Sequence, residues 1–216
     1  MKSLLSRRFV REAYVLAVLI VATGLCGVSA DAQSVPSVGV LEDARAVVSE
    51  LLDQLVVVAS EPEVSLTERA AALRDTITQT HELPYIAQFS VGRFWRNFTP
   101  EEQHDFVAEF SALSIANYAS RFVSISAQSL TVGEVERVAE DRAQIHTAVQ
   151  RRDGSVVPID YVLRFRDDHW KIINVVADGV SDLALKRAEY RSVLVDGNVS
   201  DLLDYVGTQV ADLMME

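Results

Sequence analysis

A chain with one cysteine cannot close a disulfide within itself, and Cys26 is the only cysteine here. Its four histidines, His81, His104, His146 and His169, are scattered, with no H-E-x-x-H and no carboxylate at ligand spacing, which argues against a metal site. The nine glycines form no glycine-rich phosphate loop. Positive charge is scarce as well: 20 lysines and arginines face 31 aspartates and glutamates, for a net charge of −11. No basic block with interleaved aromatics offsets that excess, so the composition argues against nucleic acid as a partner and disfavours adhesion to anionic headgroups by charge.

Long hydrophobic runs are missing too, with one exception near the start. Lys2, Arg7, Arg8 and Arg11 lead into an apolar run over residues 13–26, followed by small residues and the A-x-A pattern Ala30-Asp31-Ala32. This reads as a secretory signal peptide over residues 1–32, the run being short for a span and ending in a cleavable motif. Leu25 stands where a lipoprotein site needs a small residue before Cys26, and Ser6-Arg7-Arg8 is an ordinary n-region pair rather than a twin-arginine signal. Cleavage after Ala32 removes four basic and two acidic residues, leaving 16 against 29 and a net charge near −13. Cys26 leaves with the signal, so the exported protein has no thiol nucleophile. About 184 residues remain, enough for one domain, expected over 33–216 with 33–40 as a flexible lead-in.

The stretch from His81 to Phe122 organises the rest of the chain. Thr99-Pro100-Glu101-Glu102 marks a helix start: Thr99 caps, Pro100 suits the first helical position and Glu102 completes a capping box. From Pro100 onward Phe106, Phe110 and Leu113 form one stripe while Val107, Tyr118 and Phe122 drift round the helix. That arc is wider than one contact face requires, so this helix is expected to touch apolar matter on two sides. Upstream, Val47, Leu51, Leu55 and Val58 give a helix over 41–59, stopped by Glu61-Pro62. Ser65-Leu66-Thr67-Glu68 is a second capping box opening a helix over 65–80. After Leu83-Pro84 a third helix is expected over 85–94, with Gly92 inside it permitting close helix approach.

Beyond Phe122 the period changes from helical to alternating. Strands are expected over 130–138, 142–151, 156–165 and 170–176, with turns at Glu140-Asp141, Asp153-Gly154 and Asp167-Asp168. Short links imply an antiparallel meander. Val157, Ile159, Tyr161, Leu163 and Phe165 alternate with more polar neighbours, as do Ala143, Ile145 and Val149, so one sheet face is apolar and needs a cover. Helices over 182–195 and 200–214 close the chain. The fold class is α+β: a four-stranded antiparallel meander packed against N-terminal and C-terminal helices, with room for an apolar cavity between them.

The run Val91-Gly92-x-x-Trp95-Arg96, Thr99, Gln103, Phe106, Phe110, Leu113 and Tyr118-Ala119 is followed by Tyr161-x-Leu163, Trp170-Lys171-Ile172, Asp178-Gly179-Val180-Ser181 and Arg187-x-Glu189-Tyr190. In order and spacing these resemble the MlaC family of periplasmic lipid carriers, also called toluene-tolerance proteins, over about residues 41 to 212. The resemblance implies a periplasmic shuttle that carries a phospholipid between an outer-membrane complex and an inner-membrane ABC transporter. A sibling branch is associated with hopanoids, and Gly179 to Leu183 with Lys186-Arg187 resembles it at least as well. The chain departs from the family pattern at Ile125 and Ala127, where a tyrosine and a glycine are common, and at Asn174-Val175, where Asp-Val is common.

The residues also support a carrier by themselves. Bringing a diacyl lipid through water exposes roughly thirty methylenes at about 0.8 kcal/mol each, so a soluble shuttle must enclose the tails. Val91, Trp95, Phe110, Ser114, Tyr118, Tyr161, Leu163, Phe165 and Val175 are the pocket candidates, combining apolar bulk with positions on the stripes that face sheet or helix; plain core packing is the alternative for each. Tyr118 and Tyr161 are placed to offer hydroxyls at a cavity mouth. An enzyme finds little support: Gly179-Val180-Ser181 lacks the second glycine of a nucleophile elbow and reads as a turn and helix cap, and of Asp160, Asp167 and Asp168 two belong to a hairpin turn. No cofactor is expected beyond a bound phospholipid or hopanoid. The stronger rival is a periplasmic adaptor without a lipid cavity, with Arg93, Arg96, Arg187 and Arg191 as surface candidates for acidic partners.

Overall fold

A computed structural model describes residues 38–61, 63–122, 129–151 and 154–215. The stretch read as a signal peptide, Cys26, most of the expected lead-in, Pro62, Ile125, Ala127 and Asp153 lie outside the described residues.

Helix α1 (Val38–Ala59) begins within the stretch read as lead-in and buries Ala44, Val48, Leu51, Leu52 and Leu55 along one face. Helix α2 (Leu66–Thr80) starts at the expected capping box: the Ser65 hydroxyl accepts from the Glu68 amide, and the Glu68 carboxylate accepts from the Ser65 amide at 3.0 Å. Helix α3 (Leu83–Val91) is shorter than expected. Gly92 adopts φ 57° and ends it, and residues 92–97 continue as a 3-10 turn. Gly92 also faces a close neighbour, because a Cβ there would lie 3.1 Å from the Arg187 guanidinium. That neighbour is the end of a side chain rather than the backbone of a second helix, and the helix expected to contain Gly92 stops at it.

Helix α4 (Pro100–Arg121) begins at Thr99, whose hydroxyl accepts from the Glu102 amide while the Glu102 carboxylate accepts from the Thr99 amide at 2.7 Å. Gln103 secures the same corner, donating to the carbonyls of Trp95 and Phe98 at 3.2 Å each. The strands β1 (Leu130–Ala139), β2 (Arg142–Gln150), β3 (Val156–Arg166) and β4 (His169–Ala177) form the antiparallel meander. A fifth strand, β5 (Val180–Ser181), was not expected; its two residues pair with Val176 and Ala177 as the chain turns through Asp178-Gly179. Both residues of that turn adopt left-handed φ, which folds the chain back sharply enough to make the pairing. Helix α5 (Asp182–Val193) follows at once, capped by Ser181, and after a 3-10 turn over 194–196 comes α6 (Val199–Met215).

Helix α1 packs on β1, β2 and β4, while α4 packs chiefly on α2, α3 and α6. The joint between α2 and α3 is pinned to β4: His81 bridges Ile172, and the Glu82 amide donates to the Ile172 carbonyl at 2.9 Å. This pairing occupies backbone groups that β5 is too short to reach on that edge. Arg164 strengthens the joint, bonding the Glu82 carboxylate and lying 4.0 Å above the Tyr85 ring.

Because the Thr99 hydroxyl satisfies an otherwise orphaned amide, Thr99→Ala is expected to destabilise the protein by about 1 kcal/mol and Thr99→Gly by only a few tenths. Denaturant midpoints of the two variants check this; equal losses would show that the cap contributes nothing specific.

Candidate functional site

Sheet register decides where the apolar face is packed and where it stays open. Ala143 pairs with Leu163, Ile145 with Tyr161 and Val149 with Val157, all on the core side. At one end of this face Ala143, Ile145, Leu163 and Trp170 are buried in the core. At the other end, where β2 finishes, β3 begins and β4 finishes, the face borders a cavity of about 550 Å³, within the usual range of about 300–1,000 Å³ for ligand pockets.

Val157, Ile159 and Tyr161 of β3 form its floor, with Ile172, Ile173, Val175 and Ala177 of β4. The sheet register shifts beside Ile173, an extra residue that leaves both it and Ile172 buried. Phe110, Ser114, Asn117, Tyr118 and Arg121, one face of α4, form the opposite wall. Leu83 and Ile86 of α3 border it beside His81, and Leu183, Leu185 and Lys186 of α5 border it near the exposed Arg121 and Arg151. The wide apolar arc of α4 thus serves two surfaces, neighbouring helices and the cavity.

Of the nine candidate residues the structure brings five together: Phe110, Ser114, Tyr118, Tyr161 and Val175 border the cavity. Val91, Trp95, Leu163 and Phe165 do not. Val91 is buried at the end of α3, and Trp95 is carried into the 3-10 turn beyond Gly92, where its ring packs 5.8 Å from Phe98. Leu163 and Phe165 share the face of Tyr161 but lie at its filled end, Phe165 with its ring 5.3 Å from Trp170. Sequence reasoning missed His81, Ile86, Val149, Val157, Ile159, Ile172 and Leu183. The alternation that singled out Tyr161 also contains Val157 and Ile159, so that signal was present.

Most of the polar groups that α4 and the α2–α3 joint bring to the wall are committed to the protein. Ser114 donates to the Phe110 carbonyl at 2.8 Å and Asn117 to the Leu113 carbonyl at 2.9 Å, both within α4. Asn174, at the family departure, uses its side-chain oxygen to accept from the Ser181 hydroxyl at 3.0 Å and the Leu183 amide at 3.2 Å, fixing the start of α5. An aspartate could accept the same bonds. Thr80 gives its proton to the Thr76 carbonyl at 2.7 Å, so the 3.0 Å contact between its oxygen and His81 Nδ1 requires an N–H at Nδ1. His81 Nε2 is then an acceptor, and the 2.9 Å contact with Tyr118 is a hydrogen bond donated by the phenol. Burial holds the His81 pKa down to about 4, leaving the ring neutral near pH 7. Burial also pushes the phenols of Tyr118 and Tyr161 upward, so both stay protonated. The Tyr161 hydroxyl has no hydrogen-bond partner among the described residues.

The remaining histidines lie elsewhere. His104 and His169 are exposed, and His146 bonds Asp160 at 2.9 Å on the other face of the sheet. Among the described residues no group of three or more His, Cys, Asp or Glu is arranged to hold a metal ion, and no helix is long and apolar enough to cross a membrane. Arg93, Arg96, Arg187 and Arg191 are exposed, with Arg187 lying 4.9 Å over the Phe89 ring.

A family model described as MlaC protein matches residues 45–207, three quarters of the chain. The chain belongs to the MlaC family. Among solved structures this MlaC-family fold is similar to a phospholipid-binding protein from Ralstonia solanacearum, determined in complex with a phospholipid. The TM-score is 0.70 and the identity 21%, over 79% of this chain and 98% of that one. Among curated proteins the chain is 24% identical over 102 residues to the toluene tolerance protein ttg2D of Pseudomonas putida, a match spanning 47% of each. The chain thus covers about half the length of that relative.

Neutral His81 makes stability depend on pH. Between about pH 6.5 and pH 4 the unfolded chain binds a proton here that the folded chain refuses. The stabilisation is therefore complete above about pH 6.5 and falls as pH drops toward 4, by about 1.4 kcal/mol per pH unit within the window. His146, raised by its hydrogen bond to Asp160, has the opposite sign, but its exposure screens the contribution. His81→Gln keeps one donor and one acceptor without titrating, so its unfolding midpoint should fall less steeply over that window than the wild type's. Parallel curves would contradict a buried neutral histidine.

Proposed function

We propose that this protein is a periplasmic lipid-binding carrier that encloses lipid acyl chains in the cavity between α4 and the open end of the sheet. The observation carrying this reading is that the cavity wall is apolar and most of its polar groups are already paired with protein. Such a lining offers hydrocarbon tails a water-free surface and gives reacting groups nothing to meet. Ser114 touches no base within hydrogen-bond distance, and Tyr118 is protonated and committed to a neutral histidine. Catalysis on the ligand therefore has no evident nucleophile, and we read the site as one of binding rather than chemistry.

Family membership and the fold of a phospholipid-binding relative support phospholipid as the cargo, and Phe110, Ser114, Tyr118, Tyr161 and Val175 as residues that touch it. Shielding roughly thirty methylenes, at about 0.8 kcal/mol each, is what makes a soluble carrier useful between two membranes. On this reading residues 1–32 direct export and are removed, and 33–216 act as one carrier domain. It delivers lipid between an outer-membrane complex and an inner-membrane ABC transporter, with the exposed arginines of α5 and of the turn between α3 and α4 available for docking.

Residues 33–216 purified from the periplasm without detergent should carry stoichiometric phospholipid, measured by mass spectrometry of an organic extract. Ser114→Phe, which fills the α4 wall, should lose most of that lipid while keeping the same circular dichroism. A hopanoid in the extract would move the protein to the sibling branch. An empty extract from protein that also takes up nothing from vesicles would leave an adaptor role.

A further inference from the structure

We infer that the cavity selects lipids whose headgroups carry net negative charge, held at its mouth by Arg121 and Arg151. This rests on the carrier reading and adds to it a class of headgroup. Arg121 ends α4 and Arg151 follows the last residue of β2, and both border the cavity while remaining exposed. Neither guanidinium has a carboxylate partner among the described residues. The remaining charged residues bordering the cavity pair with each other, Lys186 Nζ lying 3.4 Å from Asp182.

The mouth therefore has an excess of two positive charges on a chain whose total is −11. Exposed arginines without a carboxylate partner among the described residues occur elsewhere on the surface, such as Arg74 and Arg96, but Arg121 and Arg151 are the two that share the edge of one apolar cavity. A guanidinium is a planar fork of donors that fits phosphate oxygens two at a time. A zwitterionic head cancels much of the attraction with its own ammonium, and an uncharged hydroxylated lipid supplies none. A headgroup bearing phosphate with no compensating cation gains most, while its tails lie along Phe110, Ile159 and Val175.

The test is competitive loading. Delipidated protein is mixed with vesicles of equimolar phosphatidylglycerol and phosphatidylethanolamine, recovered, and its lipid quantified by mass spectrometry. Both lipids share one surface, so repulsion between that surface and the acidic protein affects both alike. The wild type should hold phosphatidylglycerol in on the order of 3- to 10-fold excess, the range expected of two exposed charge contacts. That excess should shrink as salt rises. The double variant R121Q/R151Q should bring the ratio close to one, whereas R74Q, an exposed arginine on α2, should leave it as in the wild type. Lipid loaded without preference, or a preference the double variant keeps, would overturn the inference and leave the carrier reading intact. Folded wild type that loads neither lipid would overturn the carrier reading, and this inference with it.

Discussion

An antiparallel sheet with one apolar face must have that face covered, and here two kinds of cover share it. Helix α1 packs on β1, β2 and β4, and Ala143, Ile145, Leu163 and Trp170 are buried at the filled end. Towards the ends of β2 and β4 the cover stands off and a cavity of about 550 Å³ takes its place. Helix α4 makes this arrangement possible because it does not depend on the sheet for support. Its start is fixed by a reciprocal capping box, and its outer faces pack on α2, α3 and α6. The face left over can border empty space with little loss of order. Self-contained polar groups keep that space apolar: Ser114 and Asn117 bond back to their own helix, and Tyr118 bonds the buried His81.

The second support is the joint between α2 and α3. One short segment pairs with the β4 backbone at Ile172, places His81 against Tyr118 and ties Glu82 to Arg164. Cavity wall and sheet edge are thus held by neighbouring residues. A change in the joint would disturb both, whereas the outer-face contact between His146 and Asp160 is separate from the cavity.

Much of this architecture was legible in the sequence because its signals are local. Ser65 with Glu68 and Thr99 with Glu102 announced two helix starts through chemistry contained in four residues each. Strand alternation gave the meander and its apolar face. The two-residue β5 was missed because nothing so short carries a period. The end of α3 at Gly92 was missed because a glycine inside an apolar helical pattern reads equally as a close contact, which Arg187 does supply. The cavity was half legible for a related reason. Alternation places Val157, Ile159, Tyr161, Leu163 and Phe165 on one face but carries no information about which end the distant α1 fills. Leu163 and Phe165 therefore read as lining residues by their alternation, whereas Val157 and Ile159 line the space. His81 had no sequence signal, since its role depends on a tyrosine 37 residues away.

The account rests on tails lying between α4 and the open end of the sheet. A phospholipid carrying a photoactivatable group near the end of one acyl chain, loaded and irradiated, would report that position through the peptides it labels. Adducts confined to the α4 face bearing Ser114 and Tyr118, to residues 157–161 of β3 and to 172–177 of β4 are what the structure predicts. Adducts on the sheet face bearing His146, or around Trp95 in the turn before α4, would contradict it.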